Sequence, residues 1–229
     1  MDKSRDIGRL FDGIAPTYDR FNHLLSFNID RRWRRYTVGK LNYAGELLDV
    51  ATGTADLAIE IARRNKAGHV TGMDISTGMM QIGQGKVDAL SMQNRISFLE
   101  GSALDIPFES CSFDAVTCAY GVRNFSDLDR GLSEMFRVLR PGGQLAVLEF
   151  SYPENPVVRK MYDIFFSHIM PAVGRAVSND KGAYLYFRDS VKGFIWGDEM
   201  ADRISAAGFS KVSYKTLSFG ITTLYSAVK

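Results

Sequence analysis

Five short apolar runs, separated by helix-length segments, leave this chain few folds to choose from. The runs fall at residues 46–51, 69–74, 95–100, 113–119 and 144–150, and helical spacing fills 55–65, 77–92 and 126–140 between them. Strand, helix and strand in repetition predict a parallel sheet, because each crossover needs a helix to carry the chain back to the starting edge. Runs that are apolar at nearly every position belong to strands buried on both faces, so helices are expected on both sides of the sheet. Two alternating segments, 211–216 and 219–228, come after a helix near 197–207 that stops at Gly208. Only Leu217 and Ser218 join them, which predicts an antiparallel hairpin. The expected fold is therefore α/β: a Rossmann-like, doubly wound sheet of five parallel strands plus a C-terminal antiparallel hairpin. A chain of 229 residues suffices for one such domain.

Before the first strand, Leu10, Phe11 and Ile14, then Tyr18, Phe21, Leu24 and Leu25, recur at helical spacing, broken by Pro16 and by residues 26–28. Lys and Arg number 28 against 26 Asp and Glu, a balance that excludes nucleic acid as the main partner. Cys111 and Cys118 make no disulfide framework, and His23, His69 and His168 are too dispersed for a local metal motif, so no metal is expected. No apolar run reaches the ~18 residues of a membrane span. The N-terminal residues carry no apolar leader, giving a cytoplasmic expectation. Arg31, Arg32, Arg34 and Arg35 around Trp33 read as a solvated face or as attraction to an anionic membrane surface, which would place the protein peripherally at the inner face of the membrane.

Ligands of open parallel sheets bind at the C-terminal strand ends. There the first strand runs into Asp49-Val-Ala-Thr-Gly-Thr-Ala-Asp56. A dinucleotide asks for Gly-x-Gly-x-x-Gly, so that backbone can approach a pyrophosphate. Here Gly53 stands alone between Ala51 and Ala55, and Asp56 places a negative charge in the first helical turn. The loop suits a nucleoside without phosphates, although a plain strand-to-helix turn has the same composition. Asp74, ending the second strand, is placed to accept both ribose hydroxyls, or else to serve the start of the next helix. The stretch from Gly101 through Ser102 and Ala103 to Asp105 offers polar and backbone groups to a base edge.

With those residues in view, the chain resembles the class I S-adenosylmethionine-dependent methyltransferases. Within them it is similar to the UbiE/MenG/COQ5 group, which C-methylates the ring of menaquinone and ubiquinone precursors. Residues 18–33, Tyr-Asp-Arg-Phe-Asn-His-Leu-Leu-Ser-Phe-Asn-Ile-Asp-Arg-Arg-Trp, and 137–151, Arg-Val-Leu-Arg-Pro-Gly-Gly-Gln-Leu-Ala-Val-Leu-Glu-Phe-Ser, carry that likeness, with Gly121-Val-Arg-Asn124. Departures fall at Asn28, where relatives have Gly, at Asp30 in place of His, and at Ala119 in place of Ser. Asn tolerates left-handed backbone, so the turn at Asn28 should survive. The resemblance implies S-adenosyl-L-methionine as cofactor, with contacts on Asp49, Gly53, Thr54, Asp74, Ser102, Ala103 and the backbone of Ala119. It implies a single domain, with a helical substrate cap over 1–45, a cofactor core over 46–150, a helical lid over 151–195, and a helix with hairpin over 196–229.

The acceptor so implied is a lipophilic prenylated quinol, and a homodimer is left open. Arg123 would steady a developing phenolate as a fixed positive charge, Asn124 would hydrogen-bond the ring oxygen, and Tyr18 would orient acceptor or sulfonium. The same Arg123 and Asn124 would also serve as a brace to Asp127, and Tyr18 as plain packing. His168 has the residue type of a general base but sits in an apolar helical pattern, so the base is left unassigned. In 155–192, Val157, Met161, Ile164, Phe165, His168 and Ile169 share one predicted face, broadened by Tyr162, Phe166 and Met170. Pro171 should end that helix, and Gly174 and Gly182 should loosen the chain beyond it. The expected alternatives are an O- or N-methyltransferase on the same fold, a NAD-dependent oxidoreductase, and a non-enzymatic adenosylmethionine-binding protein.

Overall fold

The computed structural model describes residues 28–169 and 181–229, with Gly8, residues 11–13, Ala15, Asp19 and Ser26 ahead of them. Tyr18, Met170, Pro171 and Gly174 lie outside the described residues. The strands are β1 (Ala44–Val50), β2 (Ala67–Asp74), β3 (Ile96–Glu100), β4 (Phe113–Ala119), β5 (Leu139–Phe150), β6 (Ser210–Leu217) and β7 (Thr222–Val228). They form one sheet in the order β3-β2-β1-β4-β5-β7-β6. β1 to β5 are parallel, and β7 runs antiparallel to both β5 and β6. The expected five-stranded parallel sheet with its antiparallel hairpin is what forms.

The apolar runs explain the layering. Successive side chains of a strand point to opposite faces. Leu47, Ala146 and Leu148 join one core, while Leu48, Val50, Val116, Cys118, Leu145 and Val147 join the other. Helices α1 (Ile29–Lys40) and α2 (Asp56–Arg63) cover the first core with Trp33, Val38, Leu57 and Ile61. Helices α4 (Leu128–Val138) and α7 (Asp198–Ala206) cover the second with Leu132, Met135, Met200 and Ile204. Side-chain caps fix several starts. Ser76 accepts from Met79 N to open α3 (Thr77–Ala89), and Asp127 accepts from Arg130 N to open α4. Asn155 accepts from Val157 N and Val158 N ahead of Pro156, opening α5 (Pro156–Ile164). Asn28 takes the left-handed conformation expected of it, with φ 59°.

Two details differ from expectation. The hairpin is not joined by two residues: a tight turn at Ser218–Gly220 carries the chain, with Ser218, Phe219 and Gly220 all at positive φ, so β7 begins at Thr222. Gly182, expected to loosen the chain, lies inside helix α6 (Lys181–Gly193).

Candidate functional site

β1 lies third in the sheet, beside the central β4; the chain leaves it toward β2 and β3 and later returns on its other side as β4 and β5. That reversal opens a crevice at the C-terminal strand ends. A cavity of about 720 Å³, including its solvent-open mouth, lies there. Phe11, Gly53, Asp74, Met79, Ser102, Ala103, Ala119, Tyr120 and Asn124 are among its walls.

The loop after β1 is shaped by three left-handed residues, Ala51, Gly53 and Ala55. The alanine conformations cost ~1–2 kcal/mol each, strain that surrounding contacts must hold. Asp74 supplies one: its Oδ2 accepts from Gly53 N at 2.8 Å, and Oδ1 accepts from Ser76 N at 2.9 Å. Burial pushes the Asp74 carboxyl above its ordinary range, and these backbone donors pull against that rise. Gly53 lines the cavity, and a Cβ built on it would meet nothing within 4 Å, so the loop leaves its backbone open to a ligand. Across the crevice, Gly121 is required by close approach: a Cβ there would stand 2.6 Å from the Ala51 Cβ.

Asp49 and Thr54 are not among the cavity walls. Asp49 is buried behind the loop, where it accepts from Thr52 Oγ1 at 2.7 Å and from Thr117 Oγ1 at 2.6 Å, tying the loop to β4. Burial raises its pKa from 3.8 to about 6. Thr54 is buried against Asp19 and Lys86. Lys86 also pairs with Asp56 at 2.6 Å. Asp56 does not line the cavity either, so discrimination against a pyrophosphate rests on the glycine count rather than on that charge.

The N-terminal segment, expected as a cap, reaches the site through residues the sequence did not single out for that role. Asp12 Oδ1 accepts from Ser76 Oγ at 2.6 Å and Gly78 N at 3.0 Å, Asp19 pairs with Lys86 at 2.9 Å, and Phe11 reaches the cavity wall. Their only sequence signal is that Asp12 and Asp19 stand two helical turns apart.

At the other end of the cavity, Arg123 is buried beneath the wall rather than part of it. Its guanidinium pairs with Glu149 at 2.9 Å, donates to the Tyr120 carbonyl, and lies over the rings of Phe150 and Phe187 at 5.4 and 5.2 Å. The expected brace to Asp127 is replaced by this one to Glu149. Asn124 lines the cavity, and its Oδ1 accepts from Tyr186 Oη at 2.9 Å. Trp33, Tyr120 and Phe150 pack as an aromatic cluster behind them, with Tyr120 and Phe150 centroids 4.4 Å apart. Of the basic cluster, Arg31, Arg32 and Arg35 are exposed, whereas Arg34 turns inward to Asp30 and over the Tyr120 ring. His168 is exposed. The apolar face expected of α5 is not buried as a whole: Val157, Met161 and Ile164 are 69%, 66% and 48% exposed, and of its broadening residues Tyr162 is the buried one, against Tyr152. Among the described residues no His, Cys, Asp or Glu cluster could hold a metal ion, and no helix is long and apolar enough to cross a membrane.

Comparison with known proteins gives a consistent picture. The profile of the ubiE/COQ5 methyltransferase family matches residues 1–229. Demethylmenaquinone methyltransferase of Bacteroides fragilis is 42% identical over 229 residues, spanning 99% of this chain and 94% of its own. Ubiquinone/menaquinone biosynthesis C-methyltransferase UbiE of Geotalea daltonii is 42% identical over 231 residues, spanning 100% and 98%. Among solved structures, the [4+2]-cyclase SpnF superposes with a TM-score of 0.74 at 16% identity, over 99% of this chain and 96% of its own. A SAM-dependent methyltransferase of Thermotoga maritima gives 0.68 at 18%, over 96% and 98%. Likeness at that identity shows the fold alone, and a cyclase on the same fold is a reminder that function lives in the site.

Proposed function

The chain belongs to the ubiE/COQ5 methyltransferase family, and from that membership we propose that it transfers a methyl group from S-adenosyl-L-methionine to a ring carbon of demethylmenaquinol, giving menaquinol. A 2-polyprenyl-6-methoxy-1,4-benzoquinol is a second acceptor of the same chemistry, on the route to ubiquinone. The observation that supports the reading is a single cavity lined both by Gly53, Asp74, Ser102 and Ala103 and by Tyr120 and Asn124.

The residues present fit the cofactor. Gly53 and Asp74 offer open backbone and a carboxylate to a ribose, and Ser102 and Ala103 offer polar and backbone groups to a base. Bound there, S-adenosyl-L-methionine would supply an activated methyl to a nucleophilic ring carbon, with the bonding pair retained by sulfur as S-adenosylhomocysteine forms and the displaced ring proton released from the ring. The chain's own contribution is orientation and charge. Asp49, through Thr52 and Thr117, holds the loop rigid, and Asp74 fixes its backbone. Arg123 does not present the free positive charge expected of it: paired with the buried Glu149, it braces the loop that carries Asn124. Asn124 supplies a hydrogen bond at the wall. Phe11 covers part of the cavity wall, and Asp12 and Asp19 hold their positions against Ser76, Gly78 and Lys86.

The acceptor's prenyl tail asks for an apolar neighbour. The exposed Val157, Met161 and Ile164 on α5, beside the exposed Lys160, suit peripheral contact with a lipid surface from which such a substrate is drawn. Mass spectrometry of the quinone pool in a strain lacking this protein tests the reading. Accumulated demethylmenaquinone is the expected result, and an unchanged pool refutes it.

A further inference from the structure

Helix α6 was expected only as part of a cover. It delivers two neighbouring side chains to the acceptor end: Phe187 onto the Arg123 guanidinium and Tyr186 onto the Asn124 amide. The second contact has a chemical consequence. A side-chain amide presents either an oxygen acceptor or a nitrogen donor to a cavity, and which one it presents is decided by its other hydrogen bond. The Tyr186 hydroxyl donates to Asn124 Oδ1 at 2.9 Å. That leaves Nδ2, a donor only, for a ligand at the wall that Asn124 forms.

We infer that Tyr186 is a positioning residue of the methyl transfer: it locks the Asn124 amide with its N–H donors available to the acceptor oxygen, and so favours the ionised, phenolate form of the quinol over the neutral hydroxyl. The inference rests on the quinol reading proposed above. A donor facing the oxygen stabilises negative charge there, whereas a flipped amide would oppose it with a second oxygen. Burial holds the Tyr186 phenol above its usual range, so it stays protonated and keeps donating where the enzyme works. The half-buried Tyr186 comes from α6, far in sequence from Asn124, so the donor at the site depends on α6 being docked.

The test uses the full-length protein, S-adenosyl-L-methionine and a short-tailed demethylmenaquinol under reducing conditions. It reads kcat against pH, together with the Kd for S-adenosylhomocysteine. Tyr186→Phe keeps the ring and removes the hydroxyl. Losing the orientation of one oxyanion donor should lower kcat at neutral pH by about 10- to 100-fold. The acid limb of the kcat profile should move to higher pH, because that limb reports ionisation in the bound complex. S-adenosylhomocysteine affinity should stay within about twofold. Asn124→Asp, which puts an acceptor oxygen at the wall with Tyr186 intact, should move the limb in the same direction and serves should Tyr186→Phe fold poorly. Normal wild-type turnover with the acid limb unmoved in the folded variants overturns the inference alone. Absence of a methylated quinol from the wild type overturns it together with the functional reading.

Discussion

Replacing Asp74 by Ala probes the cofactor end of the cavity most sharply. The carboxylate has about four acceptor positions on its two oxygens, and the backbone N–H groups of Gly53, Ser76 and Ile75 draw on three. Asp74 lines the cavity. A hydrogen bond to a charged acceptor contributes ~1.5–3 kcal/mol net. Taking one such contribution from the ribose hydroxyls, Asp74→Ala should weaken S-adenosylhomocysteine binding by about 10- to 150-fold. The lost ties to Gly53 and Ser76 act separately, on the fold. At ~1–2 kcal/mol, with water reaching the loop, they should lower Tm by about 2–8 °C. Titration calorimetry on the purified variant reads the first effect and thermal unfolding the second. Because burial raises the Asp74 pKa, wild-type affinity should also decline on acidification at a higher pH than an ordinary aspartate would give. A Kd within twofold of wild type, with Tm lowered as expected, would refute the ribose role and leave Asp74 as a loop anchor.

Asp49→Asn should alter the pH dependence of stability. Its folded pKa of about 6 lies above the ordinary 3.8, so its favourable contribution is complete below pH 3.8 and is lost as pH rises through about 6. That loss amounts to about 3 kcal/mol, so urea midpoints should favour Asp49→Asn increasingly across the window; a constant difference would contradict the burial argument. Arg123→Ala leaves Glu149 buried without its guanidinium, and breaking a buried pair costs ~3–5 kcal/mol. Melting should therefore fall sharply, and Arg123→Lys should recover part; unchanged Tm with kcat lost would assign Arg123 to catalysis alone.

Much of the fold was legible because the C-terminal halves of β1, β4 and β5 are buried on both faces, and double burial demands continuous apolar runs in sequence. Turn chemistry was less legible: Leu217 and Ser218 look like a complete hairpin link, yet Phe219 also takes a left-handed conformation and lengthens the turn. At the site, Gly53, Asp74 and Ser102 could be placed because strand ends fall at fixed points of a parallel sheet. The inner face of α5 could not. Apolar side chains on that helix stand on more than one side, and packing against Tyr152 selects Tyr162. Tyr186 and Phe187 gave no sequence signal, because their partners Asn124 and Arg123 are brought to them only by the docking of α6.

The central claim, methylation of a quinol ring carbon, is tested most directly by incubating the purified protein with methyl-deuterated S-adenosyl-L-methionine and a reduced short-tailed demethylmenaquinone, then locating the label by mass spectrometry and NMR. The account predicts one labelled methyl group in place of the ring hydrogen. A labelled methyl ether on the ring oxygen, or no labelled quinone from a protein that binds the cofactor, would contradict it.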